Sequence, residues 1–248
     1  MSLAIGDKIT TIITIDGPSG VGKSTISRKV AAITGFTYLD TGAMYRGTGW
    51  FILEQGVKLD DEEAIASLLD HLELELYPAK DAESDVRVVV NGRDVSDVIR
   101  TPEMSMIASR VSALPVVREV LTRIQRKYGD RGKIVAEGRD TGTVVFPGAG
   151  YKFFLDARPE ERAKRRVDQL RANGDVADFQ EILAMMVERD KNDSERDIAP
   201  LKQASDAVRI DTTTLQVEDV VETILGKIRE KDNISSPAPT GEQGRKET

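Results

Sequence analysis

The chain has 248 residues, of which 40% are hydrophobic and 31% charged, a composition typical of folded globular proteins. Its 35 basic and 42 acidic residues give a net charge of −7, which argues against a nucleic-acid or anionic-membrane partner. The absence of cysteine excludes disulfides, thiolate metal sites and cysteine nucleophiles, and the single histidine leaves no histidine-based zinc cage. No apolar run approaches the roughly 20 residues that span a bilayer, and no cleavable signal begins the chain, so we expect a cytoplasmic protein.

The first elements indicate a parallel sheet. A β-branched run from Ile9 to Ile15 predicts a strand buried on both faces, and it leads through a glycine-rich turn into a helical pattern from Lys23 to Ile33. A second strand is predicted over Phe36–Asp40, followed by a helix from about Gly42 to Gln55. Strand, helix, strand, helix is the βαβ pattern of an α/β protein.

The pattern changes between Leu72 and Val98, where short alternating runs flank Asn91-Gly92, a strong signal for a hairpin turn. We therefore predict a small antiparallel insertion over about residues 60–102. The helices predicted after it cover Glu103–Ala113, Pro115–Tyr128, Pro159–Lys191 (as more than one helix) and Val217–Lys231, and the strands cover Lys133–Ala136, Tyr151–Leu155 and Asp206–Asp211. The last 17 residues have almost no apolar content and predict a disordered tail.

The loop after the first strand carries the clearest motif. Gly17-Pro18-Ser19-Gly20-Val21-Gly22-Lys23-Ser24 fits G-x-x-x-x-G-K-[ST], with a strand before it and a helix after it. In this pattern backbone N–H groups surround phosphate oxygens, the lysine reaches the terminal phosphates and the hydroxyl binds Mg²⁺. The other interpretation, a glycine-rich connection with a chance Lys-Ser pair, is disfavoured by that context. The predicted ATP-binding residues are Gly17, Pro18, Ser19, Gly20, Val21, Gly22, Lys23, Ser24 and Thr25.

Further charged motifs follow later strands. Asp40-Thr41-Gly42-Ala43-Met44-Tyr45-Arg46 and Glu137-Gly138-Arg139-Asp140-Thr141-Gly142-Thr143 lie at strand ends, where open α/β sheets bind ligands. Arg189, Asp193 and Arg196 have the i, i+4, i+7 spacing of one helical stripe. Taken alone, that stripe could be an exposed ion ladder. A second basic cluster, which either holds ATP phosphates or forms a solvated face, comprises Arg158, Arg162, Arg165 and Arg166.

With the P-loop, these motifs resemble the bacterial cytidylate kinases over about Ile13 to Ile224. The shared strings are G-P-S-G-x-G-K, D-[ST]-G-x-x-Y-R, E-G-R-D-x-G-T-V-V-F-P and R-D-x-x-D-x-x-R-x-x-A-P-L. The resemblance implies a P-loop NTPase fold: a three-layer α/β core with a parallel sheet, a small antiparallel nucleotide-binding insertion, and a helical lid over about residues 158–196. It implies one kinase domain over residues 1–230, with the tail occupying 231–248.

The resemblance also implies an activity, phosphoryl transfer from Mg·ATP to CMP or dCMP. It assigns catalytic roles to Lys23, Arg139 and Arg196, and cytosine recognition to Ser109, Arg118 and Asp140. Contacts to the ribose are implied for Arg189 and Asp193, a place near the base for Thr41, and a place at the acceptor phosphate for Arg46, Arg139 and Arg196. Ser24 is expected to bind Mg²⁺, with Glu137 orienting the ion through a water.

These residue types suit the reaction, because phosphoryl transfer between nucleotides demands positive charge and alignment more than covalent chemistry. The expected partners are the small molecules ATP and CMP or dCMP, without nucleic acid or membrane, and the expected state is a monomer. Two alternatives stay open at this point. One is a kinase for another small acceptor such as UMP, and the other is a non-catalytic module that binds ATP.

Overall fold

A computed structural model describes residues 12–79, 81, 84–172 and 174–235. The strands are β1 (Ile12–Asp16), β2 (Thr37–Asp40), β3 (Leu74–Tyr77), β4 (Arg87–Val90), β5 (Arg93–Asp94), β6 (Ile134–Gly138), β7 (Tyr151–Asp156) and β8 (Val208–Asp211). The α-helices are α1 (Lys23–Thr34), α2 (Thr41–Glu54), α3 (Glu62–Leu69), α4 (Pro102–Val111), α5 (Pro115–Gly129), α6 (Pro159–Ala172), α7 (Phe179–Glu195) and α8 (Val217–Ser235). A 3-10 turn covers Val98–Arg100, and a π-helical turn covers Thr141–Val145.

Five strands form a parallel sheet in the order β2-β6-β1-β7-β8. In its register Asp16 lies beside Gly138, and Asp40 lies beside Glu137. The carboxyl ends of β1, β2 and β6 therefore meet at one edge, where ligands bind in open α/β sheets. The parallel α/β core predicted from the sequence is confirmed.

Helices cover both faces of this sheet. Ile12 faces a hydrophobic cluster built with α2, α3, α4 and α5, whereas Ile13 and Ile15 face a second cluster built with α1 and α8. The alternation follows from the two-residue period of a strand, and burial on both faces explains why the β1 sequence is an apolar run. The predicted three-layer architecture is therefore confirmed.

A three-stranded antiparallel sheet, β3-β4-β5, lies in the predicted insertion. Asn91 (φ 47°) and Gly92 (φ 77°) connect β4 to β5 with the positive angles that a tight hairpin requires, which confirms the predicted turn. Helix α3 precedes this sheet and was not predicted. Its signals were present: Asp61 accepts a hydrogen bond from the Ala64 N–H at 3.0 Å as the N-cap, and acidic residues fill the first turn.

Helices α6 and α7 form a pair with its own small apolar cluster, separate from the two clusters on the sheet. The cluster contains Ala163, Val167, Leu170, Ile182 and Met186. Asp178 begins α7 by accepting hydrogen bonds from the N–H groups of Gln180 (2.8 Å) and Glu181 (3.0 Å).

Two predicted boundaries differ from the structure. Strand β6 runs two residues beyond Ala136, so Glu137 and Gly138 are part of the strand. Helix α8 continues to Ser235, so the predicted tail is wrong at its start, where the Tyr151 hydroxyl hydrogen-bonds Asp232. The remaining tail (236–248) and the first residues of the predicted β1 (9–11) lie outside the described residues. Within the described residues, the structure contains no helix with the length and apolarity that a membrane span requires.

Candidate functional site

The loop between β1 and α1 wraps the space that the phosphate motif predicts. Gly17 (φ 150°) passes so close to the Leu155 carbonyl oxygen that a Cβ there would collide with it. Gly22 (φ 94°) is the N-cap of α1 and offers no side chain to the N–H groups of the first turn. These N–H groups and the positive end of the helix dipole suit an anion.

Lys23, at the first position of α1, is buried, and its Nζ donates a hydrogen bond to the Pro18 carbonyl at 2.6 Å. Burial and then the nearby Arg139 hold its pKa well below the ordinary value, while Glu137 acts in the opposite direction. An ammonium group under these conditions is stabilised by an added anion. The lysine therefore fits a role at a phosphate.

A buried carboxylate lies beside this loop at the end of β6. Oε1 of Glu137 accepts hydrogen bonds from the hydroxyls of Ser24 (2.7 Å) and Tyr38 (2.5 Å). Its Oε2 is buried and has no hydrogen-bond partner among the described residues. Burial and then the charge of Asp40 raise the pKa of Glu137. An unsatisfied carboxylate oxygen next to the P-loop hydroxyl fits an oxygen-liganded cation.

Arginines surround a second buried carboxylate, that of Asp140. Its two oxygens accept from Arg118 and from Arg196, the latter at 3.4 Å. Arg118 also lies over the Tyr45 ring, 5.9 Å from the ring centroid, and donates to the Ser112 carbonyl at 3.3 Å. These contacts fix the position of the guanidinium. They bring α5, the loop after β6 and the end of α7 to one place.

Asp193 on α7 is held in the same way. Its Oδ1 accepts from the Ser109 hydroxyl at 2.7 Å, and its Oδ2 accepts from Arg139 at 2.9 Å and lies 3.9 Å from Arg189. Burial would raise the pKa of Asp193, but Arg139 and Arg189 outweigh it and hold the pKa below the ordinary value. The predicted stripe on α7 needs one correction, because Arg196 lies just past the helix end in extended backbone.

The arginine cluster has hydrogen-bond donors without acceptors in the described part of the chain. Burial and then the charge of Arg139 lower the pKa of Arg189 to about 10, with a smaller contribution from Arg46. The Nε atoms of Arg46 and Arg189 are buried without a hydrogen-bond partner in the described part of the chain. Arg46 contacts the N-cap residue Asp40 at 3.3 Å. Buried donors without acceptors are costly, so this cluster is suited to a multivalent anion.

The α6–α7 pair contacts the P-loop directly through Ser19. The Ser19 carbonyl accepts from Arg162 at 2.9 Å, and its hydroxyl accepts from Arg189 at 3.1 Å. Arg162 is also paired with Asp190 at 2.6 Å, and the Ser19 N–H donates to Asp190 at 3.4 Å. Of the second basic cluster, Arg162 therefore contacts the phosphate loop, whereas Arg158 is exposed.

The Thr41 hydroxyl donates a hydrogen bond to the backbone carbonyl of Glu137 at 2.6 Å, so its proton is used within the protein. The other residues predicted for the acceptor lie in the Asp140 and Asp193 clusters, except Arg46, which pairs with Asp40. Thr25 follows Ser24 in the first turn of α1.

Sequence reasoning missed several features of the site. A cavity of about 530 Å³ adjoins Val21 and Gly22 and is bounded by α6 and by residues 212–217, which follow β8. Three consecutive threonines after a parallel strand were a signal for it. Tyr38 and Asp16 were also missed, although Asp16 ends β1 and the Tyr38 hydroxyl reaches Glu137 near the end of β6. Their partners are about a hundred residues away in the sequence.

Similarity to known proteins extends over almost the whole chain. A family model described as Cytidylate kinase matches residues 13–230. A bifunctional pantoate ligase/cytidylate kinase of Synechocystis sp. is 52% identical over 215 residues, 86% of this chain and 42% of that protein. A cytidylate kinase of Carboxydothermus hydrogenoformans is 45% identical over 90% of this chain and 99% of its own length. A cytidylate kinase of Syntrophotalea carbinolica is 46% identical over 93% of this chain and 97% of its own length. The chain thus spans less than half of the bifunctional relative and nearly all of the other two.

Proposed function

Because this chain belongs to the cytidylate kinase family, we propose that it transfers the γ-phosphoryl group of ATP to CMP or dCMP. The products are ADP and CDP or dCDP. The attacking atom is a phosphate oxygen of the acceptor, which is already anionic near neutral pH, so the reaction needs no strong general base. The protein has to align two phosphates and neutralise their charge.

The donor phosphates bind in the loop Gly17–Ser24, against the first turn of α1. The cavity of about 530 Å³ adjoining Val21 and Gly22 takes the adenosine, since it opens directly beside the phosphate loop. Lys23 turns from the Pro18 carbonyl to the terminal phosphates as they bind. Its lowered pKa supports this, because a phosphate compensates the ammonium better than one carbonyl does.

Mg²⁺ would be held by the Ser24 hydroxyl and, through a water, by Glu137. When bound, the ion neutralises phosphate charge and helps align the transferring group. Mg²⁺ binds mainly through substrate phosphates and waters, so such a site needs few protein ligands. The unpartnered Oε2 of Glu137 supports its part in this site.

The acceptor phosphate lies among Arg46, Arg139 and Arg196, with Arg189 and Asp193 at the ribose. The single observation that carries the proposal is the convergence of these arginines, with the buried Nε donors of Arg46 and Arg189 left without acceptors in the part of the chain that is described. Two phosphates brought together supply the missing acceptors. Arg139 and Arg196 then stabilise the charge on the transferring group.

Asp140 reads the acceptor base. Its carboxylate, held by Arg118 and Arg196, accepts a hydrogen bond from the exocyclic amine of cytosine and repels the carbonyl that uracil has at the same place. Arg118 donates to the base, and Ser109 lies nearby in the Asp193 cluster. This arrangement favours CMP over UMP.

ADP formation tests the proposal, measured with Mg·ATP and CMP, dCMP, UMP, AMP, GMP or shikimate. Turnover confined to CMP and dCMP is expected. Preferred turnover of another acceptor would contradict the base assignment, and ATP binding without turnover of any acceptor would instead indicate a non-catalytic module. The expectation of a cytoplasmic monomer stays a prediction, and light scattering tests the oligomeric state.

A further inference from the structure

The last residue of β1, Asp16, has a buried side chain that none of the roles above uses. Its Oδ1 accepts hydrogen bonds from the N–H of Thr141 at 2.9 Å and from the Thr141 hydroxyl at 2.7 Å. Its Oδ2 accepts from the N–H of Gly142 at 2.7 Å. One carboxylate thus binds three donors from a segment more than a hundred residues away.

These donors belong to the π-helical turn Thr141–Val145, which begins immediately after Asp140. Within the turn, the N–H groups of Val144 (2.9 Å) and Val145 (3.2 Å) donate to the Asp140 carbonyl. The backbone of Asp140 is therefore fixed from its C-terminal side by the turn, and the turn is fixed by Asp16. Short π-helical turns occur frequently at functional sites.

The turn packs tightly against β1. A Cβ on Gly142 would lie 2.8 Å from the Thr14 hydroxyl oxygen and 3.3 Å from Oδ2 of Asp16. The close approach brings the Gly142 N–H within reach of the carboxylate. Burial raises the pKa of Asp16, while the bonds from Gly142 and Thr141 oppose that shift. Replacing the carboxylate by an amide would leave one N–H group facing another, since both oxygens act as acceptors.

We propose that Asp16 is a positioning residue for acceptor specificity, which holds the turn after β6 so that Asp140 points at the base. Asp16 also directly precedes Gly17, the first residue of the phosphate loop. One carboxylate thereby ties the loop that binds the donor to the loop that reads the acceptor. The inference rests on the proposed function, because specificity is the property that Asp16 would control.

Asp16→Asn tests this role, with Asp156→Asn as the matched control. Asp156 ends the neighbouring strand β7 but pairs with Arg209 and with the Ala157 N–H, away from the turn. The CMP-to-UMP ratio of kcat/KM is expected to fall by about 5-fold or more in Asp16→Asn, in line with a weakened base contact. KM for CMP should rise while KM for ATP changes less than about 2-fold, and the control should retain the wild-type ratio.

Amide hydrogen exchange provides a readout that does not depend on turnover. The N–H groups of Thr141 and Gly142 should exchange at least about 10-fold faster in Asp16→Asn than in wild type, with the unfolding temperature lowered only modestly. A folded variant with unchanged exchange there and an unchanged CMP-to-UMP ratio would overturn the inference. Absence of turnover in wild type would instead refute the proposed function. The exchange result would then still test whether Asp16 holds the turn.

If Asp16→Asn does not fold, substitutions of Thr141 test the positioning role instead. Thr141→Val removes one donor to Asp16 at nearly constant volume, and Thr141→Ser keeps the hydroxyl. The serine variant should retain the CMP-to-UMP ratio and the valine variant should lower it. Equal ratios in valine, serine and wild-type proteins would overturn the positioning role.

Discussion

The most informative perturbation of the acceptor pocket is Asp140→Asn. The obvious truncation to alanine is less suitable, because it leaves Arg118 buried and without its charge partner. Breaking a buried ion pair in that way costs about 3–5 kcal/mol, and each kcal/mol lowers Tm by about 2–4 °C in a chain of this size. Alanine would therefore lower Tm by about 6–20 °C and confuse specificity with stability.

Asparagine also removes the negative charge beside Arg118, but it keeps the volume of Asp140 and one acceptor oxygen, so its effect on stability should be smaller. Its amide, however, presents a donor as well as an acceptor and can satisfy the uracil carbonyl. Discrimination by a well-placed base contact is worth about 1–3 kcal/mol, so the CMP-to-UMP ratio of kcat/KM should fall by about 5- to 150-fold. Most of the loss should arise from CMP.

The assay is steady-state ADP release with each acceptor at saturating Mg·ATP, together with thermal unfolding of each variant. Asp206→Asn is the matched control, since Asp206 is also paired with a basic side chain (Lys152, 2.9 Å) but is largely exposed. It should leave the ratio unchanged. A folded Asp140→Asn protein with the wild-type CMP-to-UMP ratio would refute the assignment of Asp140 to the base.

Three further predictions concern the phosphate loop, the lid and the turn. Lys23→Ala should lower kcat by about 10²–10³-fold, because the charge at the terminal phosphates is lost. Tm should change little, because burial disfavours the ammonium and lowers its pKa. A near-normal kcat would exclude a role at the donor. Residues 158–196 should exchange amide hydrogens more slowly when ATP and CMP are bound together, and unchanged exchange would argue against a mobile lid. Gly142→Ala should lower Tm by about 2–12 °C through overpacking against Thr14, worth about 1–3 kcal/mol. Gly148→Ala is its control, since a Cβ there meets nothing within 4 Å in the described part of the chain, and equal Tm values for the two variants would contradict the packing argument.

The local parts of the fold were predictable from the sequence. The β-branched run before the P-loop predicts β1, and Asn91-Gly92 predicts the hairpin, because both signals depend on neighbouring residues alone. Helix α3 could also have been found, since Asp61 and the acidic first turn are local signals. The extension of α8 to Ser235 could not, because the contact between Asp232 and Tyr151 joins distant parts of the chain.

The candidate site shows the same contrast between local sequence signals and contacts that join distant parts of the chain. The resemblance named Asp140 and Asp193 individually, but only the structure gives their partners, since those contacts join the loop after β6 to other helices. The π-helical turn after Asp140 has no local sequence signal, and its β-branched residues favour a strand. The sequence assigns Asp16 no role, because all three donors to its carboxylate come from that distant turn.

The central claim is that the γ-phosphoryl group passes to the phosphate of a cytidine nucleotide. It is tested most directly by incubating the protein with Mg²⁺, CMP and ATP labelled in the γ-phosphate, and by following the label with time. The label should appear in CDP, in amounts equal to the ADP formed, with little in inorganic phosphate. Label released as inorganic phosphate at the same rate with and without CMP would contradict the account.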